Sequence, residues 1–167
     1  MSPAPDEWSA STPQPHRPTA TRIPVAEADL PALENVEVTV RFTWSDTGLV
    51  TLDVGGKVAF PRLPETAGLY RFTLTGGHHE SRPRVYIGES DNLRRRANGY
   101  RNPGPSQLTN LRLNAVLRAH LAAGGVARLA VSSEAELILP GVGHPLQLDL
   151  SRKAGRLLAE SAGLVLA

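Results

Sequence analysis

Tyr86, Arg96 and Tyr100 fall within one short stretch, "RVYIGESDNLRRRANGY", which runs from Arg84 to Tyr100. It begins as an apolar strand, passes a glycine and continues as a basic helix. On a helical wheel Leu93, Arg96, Ala97 and Tyr100 follow i, i+3, i+4, i+7 spacing and share one face. Arg94 and Arg95 point elsewhere. Arg96 therefore sits in the stripe that should face a sheet, where an unpaired charge is costly. Either a buried carboxylate meets it or it faces a cleft that receives an anion. A guanidinium is a planar fork suited to phosphate oxygens. Tyr70, which closes "GLY", and Tyr86, in "VYIG", lie on two neighbouring strands. Taken singly, each is an ordinary strand former.

The elements that would position these groups can be read from periodicity. Residues 1–32 are rich in Pro, Ser, Thr and Ala without periodicity, and read as a flexible leader that is not a secretory signal. Residues 33–62 read as a β-rich extension. In it "VEVTVRFTW" and "LVTLDV" alternate with period two, "SDTG" and Gly55-Gly56 supply turns, and "KVAF" closes a small meander. Phe42 and Trp44 are assigned to packing. From residue 63 the strands "AGLYRFTL" and "RVYIG" flank a Gly-rich loop whose His78-His79 pair lacks a third ligand at metal-binding spacing. A helix over about 92–100, capped by Ser90 or Asp91, is followed by a longer one over about 107–123, stopped by Gly124-Gly125. "VARLAVS" is a strand with Ala127, Leu129 and Val131 inward. A last helix from Asp149 or Ser151 presents Leu150, Ala154, Leu157, Leu158 and Ala162 as its core stripe. The order β-β-α-α-β-α predicts a small α/β domain over 63–167 with a mainly antiparallel three-stranded sheet.

Composition narrows the chemistry. The 167 residues are 41% apolar and contain no cysteine, which removes disulfides, zinc thiolates and cysteine nucleophiles. A reducing, cytoplasmic setting fits that usage. Net charge is only +2, but between Arg82 and Arg101 six arginines stand against Glu89 and Asp91. Lys57 and Lys153 are the only lysines, so the positive charge is almost all guanidinium.

Together, "GLY" at 68–70, "VYIG" at 85–88 and Arg96 ten residues beyond Tyr86 resemble the GIY-YIG nuclease family. That family includes homing endonucleases, some restriction enzymes and the incision subunit of bacterial nucleotide excision repair. "NLRRRANGY" is similar to its first helix, with Tyr100 at the His-or-Tyr position. The resemblance implies hydrolysis of a nucleic-acid phosphodiester, DNA rather than RNA, with one Mg2+ or Mn2+. It implies that Arg96 binds phosphate, that Tyr70 deprotonates water, and that Tyr86 hydrogen-bonds to water or phosphate. Glu160, in "RLLAESAGL", is the match for the metal-holding glutamate, with Glu136 the alternative. Arg94, Arg95 and Arg101 are the expected contacts to the nucleic-acid backbone. The chain departs from the pattern in two places. Glu89 stands where some relatives carry Lys, and the Asn expected beyond the Glu helix is not found before Ala167. Asn110 and Asn114, on the second helix, do not match it.

Two other readings remain open from sequence. One is a nucleic-acid-binding module that kept the fold and the basic helix but does not cut. The other is a protein-interaction domain that works through the meander. Oligomeric state is open.

Overall fold

The computed structural model describes residues 37–77 and 82–165. The leader at 1–32 and the His78-His79 pair lie outside the described residues. So do residues 33–36.

The strand "GLYRFTLT" explains the layering. It is β4, Gly68–Thr75, and its alternation sends Tyr70, Phe72 and Leu74 to one face, Leu69 and Arg71 to the other. It lies between β5 (Arg84–Ser90) and β6 (Val126–Ser132), antiparallel to both. Two strands from the N-terminal stretch join the same sheet, β2 (Ser45–Leu52) beside β6 and β3 (Val58–Ala59) outside β2. The strand order is β3-β2-β6-β4-β5, so β5 is an edge. A second, smaller antiparallel sheet has the order β1-β7-β8, built from Thr39–Arg41, Glu136–Ile138 and Leu146–Gln147.

Helices α1 (Leu93–Arg101) and α2 (Leu108–Ala122) cover the face that carries Tyr70 and Phe72. That core also takes Leu93, Tyr100, Leu117 and Leu129, each at most 2% exposed. Burying side chains of this size stabilises the fold by about 1.5–3 kcal/mol apiece. On the opposite face, Leu69 packs with Ala135, Leu148, Leu150 and Ala159 of the α3 side, where α3 is Lys153–Val165. The expected α/β class and antiparallel sheet are present, with the three expected strands β6-β4-β5 extended to five by β2 and β3, and with β7 and β8 inserted before α3. Among the described residues no helix is long and apolar enough to cross a membrane.

Several local expectations are corrected. The N-terminal strands do not form one meander, because β1 pairs with β7 instead of β2. "SDTG" is no turn but the start of β2. A register shift between Asp46 and Gly48 absorbs it, with Gly48 at φ 115° and its N–H donated to Asp46 Oδ1. The α1 cap is Asn92, whose side chain accepts from Arg95 N, while Ser90 braces Asn92 by exchanging hydrogen bonds with its backbone. The inward stripe of α3 is not the leucine stripe. Gly155, Arg156, Ala159 and Gly163 are buried, while Leu157 and Leu158 lie outside. Small residues let this helix approach closely, and Gly163 lies within van der Waals reach of Phe42 and Ile87. Phe42 and Trp44 pack edge to face at 5.3 Å, as assigned.

Candidate active site

The glycine of "YIG" has a direct steric reason. Tyr70 and Gly88 face each other across the β4–β5 ladder, and a Cβ on Gly88 would stand 2.2 Å from the Tyr70 hydroxyl. Only the bare backbone lets the Tyr70 ring lie across β5. There its hydroxyl meets that of Tyr100 at 2.6 Å. Tyr86 stacks on Tyr70 with centroids 6.3 Å apart. The three tyrosines are all that the chain possesses, and one cluster holds them. Tyr100 is fixed from outside as well, since Asn114 of α2 donates to its carbonyl at 2.7 Å. That is a structural task for an asparagine that sequence matching could only set aside.

Burial, more than any neighbour, pushes the Tyr70 phenol well above its ordinary range, and the adjacent Tyr100 adds to it. Tyr100 is pushed up to about 12, again chiefly by burial. Arg96 favours the phenolate of both, but more weakly than burial and the neighbouring tyrosines act. Arg96 alone does not overcome this desolvation, so Tyr70 would serve as the base only with a second cation beside it. Tyr100 also hydrogen-bonds with Tyr86, so the three hydroxyls form one chain whose spare proton lies at its solvent end. Tyr86, at 36% exposure, is the phenol that solvent reaches.

Arg96 lies against this cluster, with its guanidinium carbon 5.9 Å from the Tyr100 ring centroid. Its Nε is buried without a hydrogen-bond partner, and it makes no ion pair among the described residues. Of the two outcomes open from sequence, a buried carboxylate partner is therefore not realised. A buried donor left empty costs about 1–3 kcal/mol, and such groups call for an explanation.

Glu160 projects from α3 into the electrostatic reach of the same arginine. Burial raises its pKa first, and the charge of Glu89 raises it further. The Glu89 backbone amide and Arg96 oppose both. Glu160 makes no ion pair with Arg156, four residues before it on α3. Arg156, at 7% exposure, pairs with Glu89 and donates to the carbonyls of Leu150 and Ser151 at 3.1 and 2.8 Å. Arg156 thereby answers the Glu89 carboxylate on the α3 side, although the carboxylate's charge still reaches Glu160. Sequence reading missed this buried pair; the one available signal was an arginine in line with the small inward residues of α3.

A divalent cation can be tested against these donors. No group of three His, Asp or Glu gathers among the described residues. Glu160 is the carboxylate beside Arg96, and its raised pKa marks a place where negative charge lacks compensation. One carboxylate with water and substrate phosphate oxygens is the usual Mg2+ arrangement, so the donor set fits. Glu136 is placed otherwise, in β7 on the small sheet, paired with Arg41 at 3.5 Å.

The remaining arginines of α1 are engaged within the protein. Arg94 donates to Leu63 O at 2.9 Å and pairs with Glu65. Arg101 binds Val58 O and Asp53, tying α1 to the β2–β3 hairpin. Arg95 pairs with Asp91 but stays two-thirds exposed. As backbone contacts, Arg94 and Arg101 would first have to leave these partners; Arg95 is open to solvent.

No family model matches this chain, and no curated protein does. Among solved structures, the chain is similar to a mutant of EndoII from bacteriophage T4, with 18% identity and a TM-score of 0.44. The match covers 57% of this chain and 77% of that one.

Proposed function

We propose that this chain is a metal-dependent endonuclease of the GIY-YIG type that hydrolyses nucleic-acid phosphodiester bonds, with DNA as its target. The observation that carries the reading is Arg96, a half-buried arginine whose enclosed Nε is an empty donor, beside a hydroxyl pair and within electrostatic reach of Glu160. A phosphodiester supplies what each of these groups lacks. Its non-bridging oxygens accept from Arg96 and from the hydroxyl chain of the three tyrosines. Both donors stay in place as charge builds on those oxygens during attack, which is where preorganised groups lower a barrier most. Tyr86 is the phenol open to an incoming water: its oxygen takes the water's proton as its own proton passes to bulk solvent. Glu160 would hold a Mg2+ or Mn2+ ion, which supplies Lewis-acid stabilisation of developing oxyanion charge.

The test is nicking of supercoiled plasmid by purified protein in Mg2+ or Mn2+. Wild type should cut, chelation should stop it, and Glu160→Gln should abolish it. That variant should fold at least as stably as wild type. Glu160 has a raised pKa, so its ionisation weakens the fold as pH climbs above the ordinary carboxylate range, and the neutral amide removes that cost. Equal cutting by both proteins would refute the assignment. Binding without cutting by wild type would favour the silent binding module.

A further inference from the structure

A groove of about 340 Å³ opens beside Tyr86, between β5 and α2. Phe72 and Leu113 form its floor, and the wall is one face of α2, carrying Thr109, Arg112 and Val116 at i, i+3, i+7. Tyr86 and Val116 are 36% and 44% exposed, so the groove presents aromatic and aliphatic surface to solvent. Arg112 makes no hydrogen bond or ion pair among the described residues, and α2 contains no carboxylate to receive it. The groove thus combines a slot with apolar walls, the open cation Arg112 and the hydroxyls of Tyr86 and Thr109. It runs directly from the tyrosine cluster, because Phe72 and Tyr86 belong to both.

A flat ring with a hydrogen-bonding edge and a phosphate attached has this complementary pattern. In a duplex the bases are stacked and paired, so only an unpaired or extruded base can enter such a slot. We propose that the groove receives an unpaired nucleobase next to the phosphate at Arg96, with Arg112 on a flanking phosphate. This rests on the reading of Arg96 as a phosphodiester site. It makes the preferred substrate a nucleic acid with a locally single-stranded nucleotide. Stacking of a base on an aromatic side chain is tolerant of sequence, so the preference should be for structure over sequence.

The experiment uses the full chain carrying Glu160→Gln, with two DNA probes of equal length. One is a blunt duplex, and the other has a single unpaired 2-aminopurine. The unpaired probe should bind about tenfold tighter, in line with the loss of one stacked base, and its fluorescence should fall on binding. Val116→Glu, at an exposed position, should remove both the preference and the quenching while duplex binding persists. Arg112→Gln should weaken both probes and lower the salt slope by about one. Equal affinity for the two probes without quenching, in a protein whose wild type cuts DNA, would overturn the groove assignment alone. Failure of every form to bind or cut DNA would overturn it together with the endonuclease reading. A dimer abolished by Val116→Glu, with no probe preference, would give the groove to a second copy of the chain and refute the proposal.

Discussion

Arg156 is buried and Arg96 half-buried, one on each side of the sheet, and they are treated in opposite ways. Arg156 meets Glu89 and two carbonyls, so its charge and donors are answered. Arg96 leaves a buried donor empty beside two hydroxyls held in place by Gly88 and Asn114. A satisfied buried ion pair belongs to the architecture, where removing one partner strands the other charge. An unsatisfied one, kept next to prearranged donors, has the form of a site awaiting an anion. Arg71 also leaves its buried Nε empty, with its guanidinium over the Trp44 ring, so the prearranged hydroxyls beside Arg96, and not the empty donor alone, set that arginine apart.

The first way to break the comparison is Arg156→Leu. Glu89 would be left buried without its cation, and stability in urea denaturation should drop by about 3–5 kcal/mol. A loss under 1 kcal/mol would show that the pair is not architectural. Gly88→Ala comes next. The added methyl collides with the Tyr70 ring, so overpacking should cost about 1–3 kcal/mol and displace the hydroxyl pair. Near-ultraviolet circular dichroism and the nicking rate should change together, and wild-type values for both would contradict the steric account. A smaller and graded effect comes from alkali. Tyr100 keeps its proton to about 12 and Tyr70 beyond the ordinary tyrosine range, both raised by burial. The folded state then holds protons that the unfolded chain has lost, so their stabilising effect is full below about 10. It declines as pH rises from there through about 12. Phenolate absorbance should lag behind that of the denatured protein over the same window. Coincident titration curves would mean that the tyrosines are not enclosed.

The sequence carried the elements whose signal is local. Alternation in "GLYRFTLT" and "VARLAVS" set their inward faces, and the spacing of Leu93, Arg96, Ala97 and Tyr100 set the inward face of α1. The pairing of β1 with β7 across a long separation left no local trace, and neither did the insertion of β2 beside β6. The α3 stripe was misread because close helix–sheet approach favoured Gly and Ala over Leu, a choice dictated by the partner surface. In the candidate site, the residues came from motif spacing, while their states came from packing. Whether Tyr70 ionises depends on how deeply Gly88 lets it sink. Whether Glu89 repels phosphate depends on Arg156, far along the chain.

The central claim is that the empty donor of Arg96 serves substrate and not the fold. The most direct test is the nicking rate of Arg96→Met, whose apolar chain fills similar space without the guanidinium. With stability in urea equal to or above wild type, the rate should fall by about 10²–10³, the loss typical of removing one preorganised oxyanion donor. A variant that cuts DNA at the wild-type rate would contradict the account.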